Sequence, residues 1–214
     1  MLSAVALLLA AGKSSRMGEL KALLSWQDKP LIQHQIASLS EAGLSSIVVV
    51  LGHQAYNLEP FLGNNPKVHL VHNPHYEGGK TTSITTGLHT LGKQLHDFSK
   101  NSTRNKPLGD ALLILNVDQP RSASTIRHLI KIHQTSKSLI SIPTYKGKGG
   151  HPTIFSTALM PELLGISESN QGLKAVVRRH HAETQQIEMT TPEILLDLNT
   201  PEDYNQAQKS FFLN

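Results

Sequence analysis

Several short stretches of the chain are apolar without alternation: residues 5–9, 47–51, 68–71, 111–117 and 139–142. An unbroken apolar run suits a strand covered on both faces, as in a parallel sheet sandwiched by helices. Helical spacing fills the intervals. Over 31–44 the side chains of Leu31, Ile32, Gln35, Ile36, Leu39 and Ala42 fall on one, mostly apolar, face. Residues 81–95 and 122–135 carry the same period, the second with Ile126, Leu129, Ile130 and His133 as its stripe. Strand alternating with helix predicts an α/β protein: a three-layer, Rossmann-like, mostly parallel sheet with helices on both faces and right-handed crossovers.

The polar, structure-poor stretch 97–109 (DFSKNSTRNKPLG) reads as a surface insertion, because the alternating pattern resumes directly after it. Thr200-Pro201-Glu202-Asp203 is a helix start: a hydroxyl to cap, proline for the first position, and two acids at the positive end. No internal repeat is visible, so residues 1–214 are expected to form one domain. The apolar segment 4–11 is far shorter than the ~20 residues that cross a bilayer, and no Lys or Arg precedes it. A buried strand is expected there, and a cytoplasmic protein that does not engage a membrane.

Composition narrows the chemistry. With 38% hydrophobic and 17% charged residues the chain is too apolar and too weakly charged for a disordered tail protein. The absence of Cys excludes thiolate catalysis, disulfide scaffolds and cysteine-held zinc or iron–sulfur sites. A formal charge of +4 points to anionic partners, yet no basic run is long enough for a nucleic-acid stripe. Small anions are the better match.

The first strand leads into Leu9-Ala10-Ala11-Gly12-Lys13-Ser14-Ser15-Arg16-Met17-Gly18-Glu19-Leu20-Lys21. Such a turn leaves a strand's carboxyl edge, where α/β sheets place ligands. Gly12 and Gly18 allow close backbone approach to a phosphate, Arg16 offers a planar fork, and Lys21 a point charge. The spacing fits neither the P-loop nor the dinucleotide fingerprint. It resembles the opening signature of nucleotidyltransferases of the GT-A-like fold. More narrowly, it resembles the molybdenum-cofactor nucleotidyltransferases (the MobA-like NTP transferase domain), which attach CMP or GMP to molybdopterin. Further stretches match in order: Lys29-Pro30-Leu31-Ile32, 79–87 (GKTTSITTG), Asp118-Gln119-Pro120, Gly150-His151-Pro152, Asn170-Gln171-Gly172 and Asn199-Thr200-Pro201-Glu202-Asp203.

The resemblance implies a magnesium-dependent transferase that moves a nucleoside monophosphate, with CTP the expected donor, onto a phosphate-bearing acceptor, with molybdopterin expected. Pyrophosphate is released, and a molybdoenzyme or its chaperone is a further partner. It implies catalytic roles for Arg16, Lys21 and Asp118. Nucleotide contacts fall to Ala10, Ala11, Gly12, Lys13, Ser14, Ser15, Gly79, Lys80 and Ser83, and acceptor contacts to Gly150, His151 and Pro152. It makes Asp118 a ligand of Mg²⁺, a cation that takes one or two protein carboxylates. Read alone, Asp118 is equally a strand-end cap, and Thr81 or Thr82 equally a helix cap.

Asp197 and Asn199, expected at the end of the last strand, share the second metal position. Many relatives carry Asp at the Asn199 position; Asn resembles the guanylyl-transferring branch, whereas Ala10-Ala11-Gly12 favours the cytidylyl branch. Relatives that use CTP and molybdopterin often carry an apolar residue where Lys80 stands, which leaves the role of Lys80 open. Three alternatives stay open: a GTP-dependent molybdopterin guanylyltransferase, a sugar-1-phosphate nucleotidyltransferase, and a catalytically silent nucleotide-binding accessory protein.

Overall fold

The sequence AVALLLA forms strand β1 (Ala4–Ala10), with every side chain buried. The computed structural model describes residues 4–101 and 110–212 of the chain. Alternate residues of β1 point to opposite faces of the sheet. Ala4, Ala6, Leu8 and Ala10 join one core cluster with helices α1 (Leu31–Glu41) and α4 (Ala123–Thr135), through Ile32, Ile36, Leu39, Ile126, Leu129 and Ile130. Val5, Leu7 and Leu9 join a second cluster with Ile84, Leu88 and Leu91 of α3 (Lys80–Asn101) and with Leu163 of α5 (Met160–Leu164) and Val176 of α6 (Leu173–Arg179). The three expected layers are present. Each fully buried aliphatic side chain contributes roughly 1.5–3 kcal/mol.

The remaining strands are the short pair β2 (Ser25–Trp26) and β3 (Lys29–Pro30), then β4 (Ser46–Leu51), β5 (Val68–His72), β6 (Ala111–Asn116), β7 (Ile140–Tyr145), β8 (Lys148–Gly149), β9 (Thr153–Ser156) and β10 (Thr184–Glu188). The main sheet runs β10-β7-β9-β6-β1-β4-β5, with β8 paired to β7. Strands β4, β1 and β6 are mutually parallel, whereas β9 lies antiparallel to both β6 and β7. The link from β7 to β9 is too short for a crossover, so the chain turns back. From β1 the chain goes first to β4 and β5, then across to β6 on the opposite side. The order therefore reverses at β1, and a crevice opens at the carboxyl ends of β1 and β6.

Gly87 lets α3 lie close to the sheet: a Cβ there would stand 2.9 Å from both Leu7 and Val50 side-chain carbons. Helix α2 (Ala55–Leu58) is a single turn. Helix α7 (Pro201–Phe212) starts as expected, with Asp203 N donating to Thr200 Oγ1 (3.2 Å) and Thr200 N to Asp203 Oδ2 (3.0 Å). Trp26 is buried with Leu24, Leu31, Leu198 and Ala207, which fastens the β2–β3 pair to α7. Two expectations are corrected. The first residues of the presumed insertion continue α3 to Asn101, because helical spacing carries through them, and 102–109 lie outside the described residues. Asp197 and Asn199 do not end a strand; they occupy the extended link between a 3₁₀ turn (Pro192–Leu195) and α7. Among the described residues, no helix is long and apolar enough to cross a membrane.

Burial holds the pKa of His34 and His133 below the ordinary 6.5. Unfolding restores ordinary proton affinity. The unfolded chain therefore binds more protons as pH falls below 6.5, and stability drops with it. The urea midpoint is expected to be lower near pH 5 than at pH 7, and His133→Gln to shrink the difference. A midpoint independent of pH there contradicts this.

Candidate active site

The turn after β1 folds back on itself. Ser14 takes a left-handed backbone (φ 54°), its carbonyl accepts from Met17 N (2.9 Å), and its Oγ accepts from Lys21 N (3.0 Å). That brings Arg16 and Lys21 beside the end of β6. The Lys21 ammonium donates to Asp118 Oδ2 at 2.7 Å and to Asn199 Oδ1 at 3.0 Å, and Arg16 Nη2 donates to the same Asn199 oxygen at 3.0 Å. The Lys21 and Asp118 side chains are only 10% and 18% exposed, so this ion pair is weakly screened. Leu198 N donates to Asp118 O (2.9 Å), which ties the Asn199 segment to the turn after β6. Residues distant in sequence thus meet within one hydrogen-bond radius.

The start of α3 forms the facing wall. Gly79 sits at φ +104°, where side chains are disfavoured, and a Cβ there would collide with the Glu168 carboxylate, which accepts from Thr81 N at 2.9 Å. The Thr82 hydroxyl is used locally: its oxygen lies 2.9 Å from each of the His75 and Gly79 carbonyl oxygens, to one or the other of which it donates. Buried Asn73, which the sequence reading did not single out, donates to Thr82 Oγ1 (2.9 Å) and Ser83 Oγ (3.0 Å). Lys80 and Ser83 face the cleft.

The cleft encloses about 460 Å³. Of the residues singled out in the sequence, Ala10, Ala11, Gly12, Ser14, Ser15, Arg16, Lys21, Gly79, Lys80, Ser83, Asp118, His151, Asp197 and Asn199 line it. A Cβ on Gly12 would meet nothing within 4 Å, so the turn leaves room there for a ligand. Three residues lie outside the lining. Lys13 turns outward to Glu77, 2.5 Å away, at an exposed position. Gly150 is packed against Ile194, with its N–H on Pro143 O (2.7 Å). Pro152 follows it behind the wall, so only His151 of that trio faces in.

Whether the site suits a divalent cation can be judged from its donors. Asp118 and Asp197 share the cleft, and burial followed by the nearby Asp118 charge pushes the Asp197 carboxyl up. Two repelling carboxylates and the Asn199 amide oxygen are hard donors. Among the described residues no group of three or more His, Cys, Asp or Glu forms a closed metal site. The set fits a cation that completes its coordination with phosphate oxygens and water.

Comparison with known proteins agrees with this geometry. Residues 6–184 match the family model described as the MobA-like NTP transferase domain. The chain is 26% identical over 203 residues to a molybdenum cofactor cytidylyltransferase of Escherichia coli (strain K12), covering 94% of each. In fold it is similar to a nucleotidyl transferase from Methanothermobacter thermautotroptrophicus, at TM-score 0.77, 22% identity and 98% coverage of both chains. It is also similar to Rv0371C of Mycobacterium tuberculosis H37Rv in complex with manganese, at TM-score 0.67 and 21% identity, covering 97% of this chain and 99% of that one.

Proposed function

Since the chain belongs to the MobA-like NTP transferase domain family and is a nucleotidyltransferase, we propose that it transfers CMP from CTP to the phosphate of molybdopterin, releasing pyrophosphate. The likeness to the cytidylyltransferase over nearly the whole length supports both substrates. The observation that carries the reading is the convergence of Arg16, Lys21 and Lys80 with Asp118 and Asp197 on one cleft at the reversal of strand order. In this proposal the chain acts as one nucleotidyltransferase domain in the cytoplasm and passes its product to a molybdoenzyme or its chaperone.

The reaction needs placement and charge neutralisation more than a base. An acceptor phosphomonoester is already largely dianionic at neutral pH. Its oxygen forms a bond to the α-phosphorus of CTP in line, while the bond from that phosphorus to the bridging oxygen breaks. The electron pair leaves with pyrophosphate. Lys21, held by Asp118 and Asn199, offers its remaining N–H to the α-phosphate, where charge accumulates, and Arg16 grips the departing phosphates with its fork. The Gly12 turn offers main-chain N–H groups to the same anion. Gly79 and Ser83 read the cytosine edge, and His151 lies on the acceptor side. Asp118, with Asp197 or Asn199, would hold Mg²⁺, which when bound supplies positive charge to the polyphosphate.

Lys80 begins a helix, where a cation is disfavoured by the dipole, and it gains compensation from a phosphate in the cleft. Lys80→Leu is expected to raise KM for CTP ~10-fold, the scale of one charge-assisted hydrogen bond, with kcat little changed. Steady-state kinetics check this, and an unaltered KM contradicts it. The nucleotide assignment is tested by melting curves with CTP, GTP, ATP and UTP in Mg²⁺, since a ligand of the native state raises the midpoint. CTP is expected to raise it most. A larger rise with GTP redirects the reading to guanylyl transfer, and no rise with any nucleotide overturns it.

A further inference from the structure

Arg121 follows the Asp118-Gln119-Pro120 turn, and its side chain is 0% exposed. Every acceptor it reaches is a main-chain carbonyl. Nε donates to His151 O (2.8 Å), Nη1 to Pro120 O (2.7 Å), and Nη2 to both Ile194 O (2.9 Å) and Leu196 O (3.1 Å). A guanidinium taken out of water, hydrogen-bonded to carbonyl dipoles and with the Glu193, Asp197 and Asp118 charges acting on it from outside that shell, is costly to keep. The segments it joins explain its presence. One carries Asp118, another carries His151, and the third, 194–196, runs directly into Asp197 and Asn199. These residues enter the cleft from three separate stretches of chain, and a rigid planar fork is the side chain that can bond all three at once. Gln35, also buried, steadies the same turn: its Nε2 donates to Gln119 O (2.7 Å) and its Oε1 accepts from Arg121 N (3.3 Å).

We propose that Arg121 is a positioning residue: one buried guanidinium sets the spacing of Asp118, the Asp197–Asn199 link and His151. It thereby sets affinity for the divalent cation and for the acceptor, and acts on the triphosphate grip of the β1 turn only indirectly, through the bonds of Lys21 and Arg16 to Asp118 and Asn199. The inference rests on the reading of the cleft given above. None of the four carbonyls belongs to the turn that carries Gly12, Arg16 and Lys21, which meets this half of the site through Lys21 on Asp118 and Asn199 and Arg16 on Asn199.

The test uses the full chain with Arg121→Lys and Arg121→Ala, with far-UV circular dichroism to establish folding. Mn²⁺ binding is followed by electron paramagnetic resonance, and CTP binding without metal by calorimetry in chelator. In both variants the Kd for Mn²⁺ is expected to rise ~10–100-fold, the scale for loss of a group that orients metal ligands. The metal-free CTP affinity is expected to change less than the Mn²⁺ affinity, kcat to fall, and the acceptor's KM to rise. Added guanidinium ion is expected to restore Mn²⁺ affinity in Arg121→Ala and not in Arg121→Lys. Wild-type Mn²⁺ affinity in the folded variants, or a parallel loss of CTP binding, overturns the inference. Failure of both variants to fold also overturns it, since Arg121 would then be a determinant of the fold. A wild-type chain that binds neither Mn²⁺ nor CTP instead overturns the reading of the cleft itself.

Discussion

Lys21→Met is expected to lower turnover of CTP by ~10²–10³-fold, the typical loss when one preorganised donor to a developing charge is removed. The ammonium is held in place before substrate arrives, by Asp118 Oδ2 at 2.7 Å and Asn199 Oδ1 at 3.0 Å. Among the described residues no other cation donates to Asp118, and Arg16 donates to the Asn199 oxygen. Methionine keeps the stem and removes the charge. It also leaves Asp118 and Asp197 without the cation that offsets their repulsion, so a divalent ion should bind this variant at least as tightly as the wild type and raise its melting temperature more. Rapid-quench turnover and Mn²⁺ titration check the pair of outcomes. Near-full turnover with saturating nucleotide and metal contradicts the role of Lys21.

The second large effect runs the other way on metal. Asp118→Asn preserves shape, and the main-chain bond from Leu198 N to Asp118 O is untouched, so the loop is expected to stay in place. What is lost is a hard anionic oxygen. Turnover is expected to fall on the order of 10²–10³-fold, with Mn²⁺ affinity weakened in step, because an amide is a poor substitute for a carboxylate at such a cation. Lys21→Met and Asp118→Asn therefore share a loss of rate and differ in the sign of the metal effect. Electron paramagnetic resonance titration of both variants separates them. Equal metal affinity in the two would show that Asp118 does not hold the ion.

Strands β1, β4 and β6 were legible because both their faces are buried, which leaves an unbroken apolar signature. Strand β10, Thr-Gln-Gln-Ile-Glu, was not: at the sheet's edge only Ile187 is buried, so its composition reads as a loop. The link carrying Asp197 and Asn199 looked like a strand because Ile194, Leu195, Leu196 and Leu198 are apolar. They pack instead into separate clusters on either side of a turn.

The structure brings Arg16, Lys21 and Asp118 to one cleft, as the resemblance of their motifs implied; read alone, a charged turn at a strand end caps or faces solvent as readily as it binds a ligand. Lys13 carried the same local signal, and its partner Glu77 turned it away; nothing local distinguishes it from Arg16. Arg121, Gln35 and Asn73 were silent for a different reason. Their work is to satisfy main-chain carbonyls and hydroxyls, in the case of Arg121 and Gln35 on loops 30 to more than 80 residues away, which has no period and no spacing. The sole hint was an arginine placed immediately after Asp118-Gln119-Pro120 at the end of an apolar strand.

The most direct measurement follows the phosphorus itself. The chain is incubated with CTP labelled at the α-phosphate, molybdopterin and Mg²⁺, and the products are separated. The label should appear on molybdopterin with an equal amount of pyrophosphate released, and Lys21→Met should slow both by the same ~10²–10³-fold. Label that remains entirely in CTP, although CTP and Mg²⁺ are bound and acceptor is in excess, would contradict nucleotidyl transfer to this acceptor.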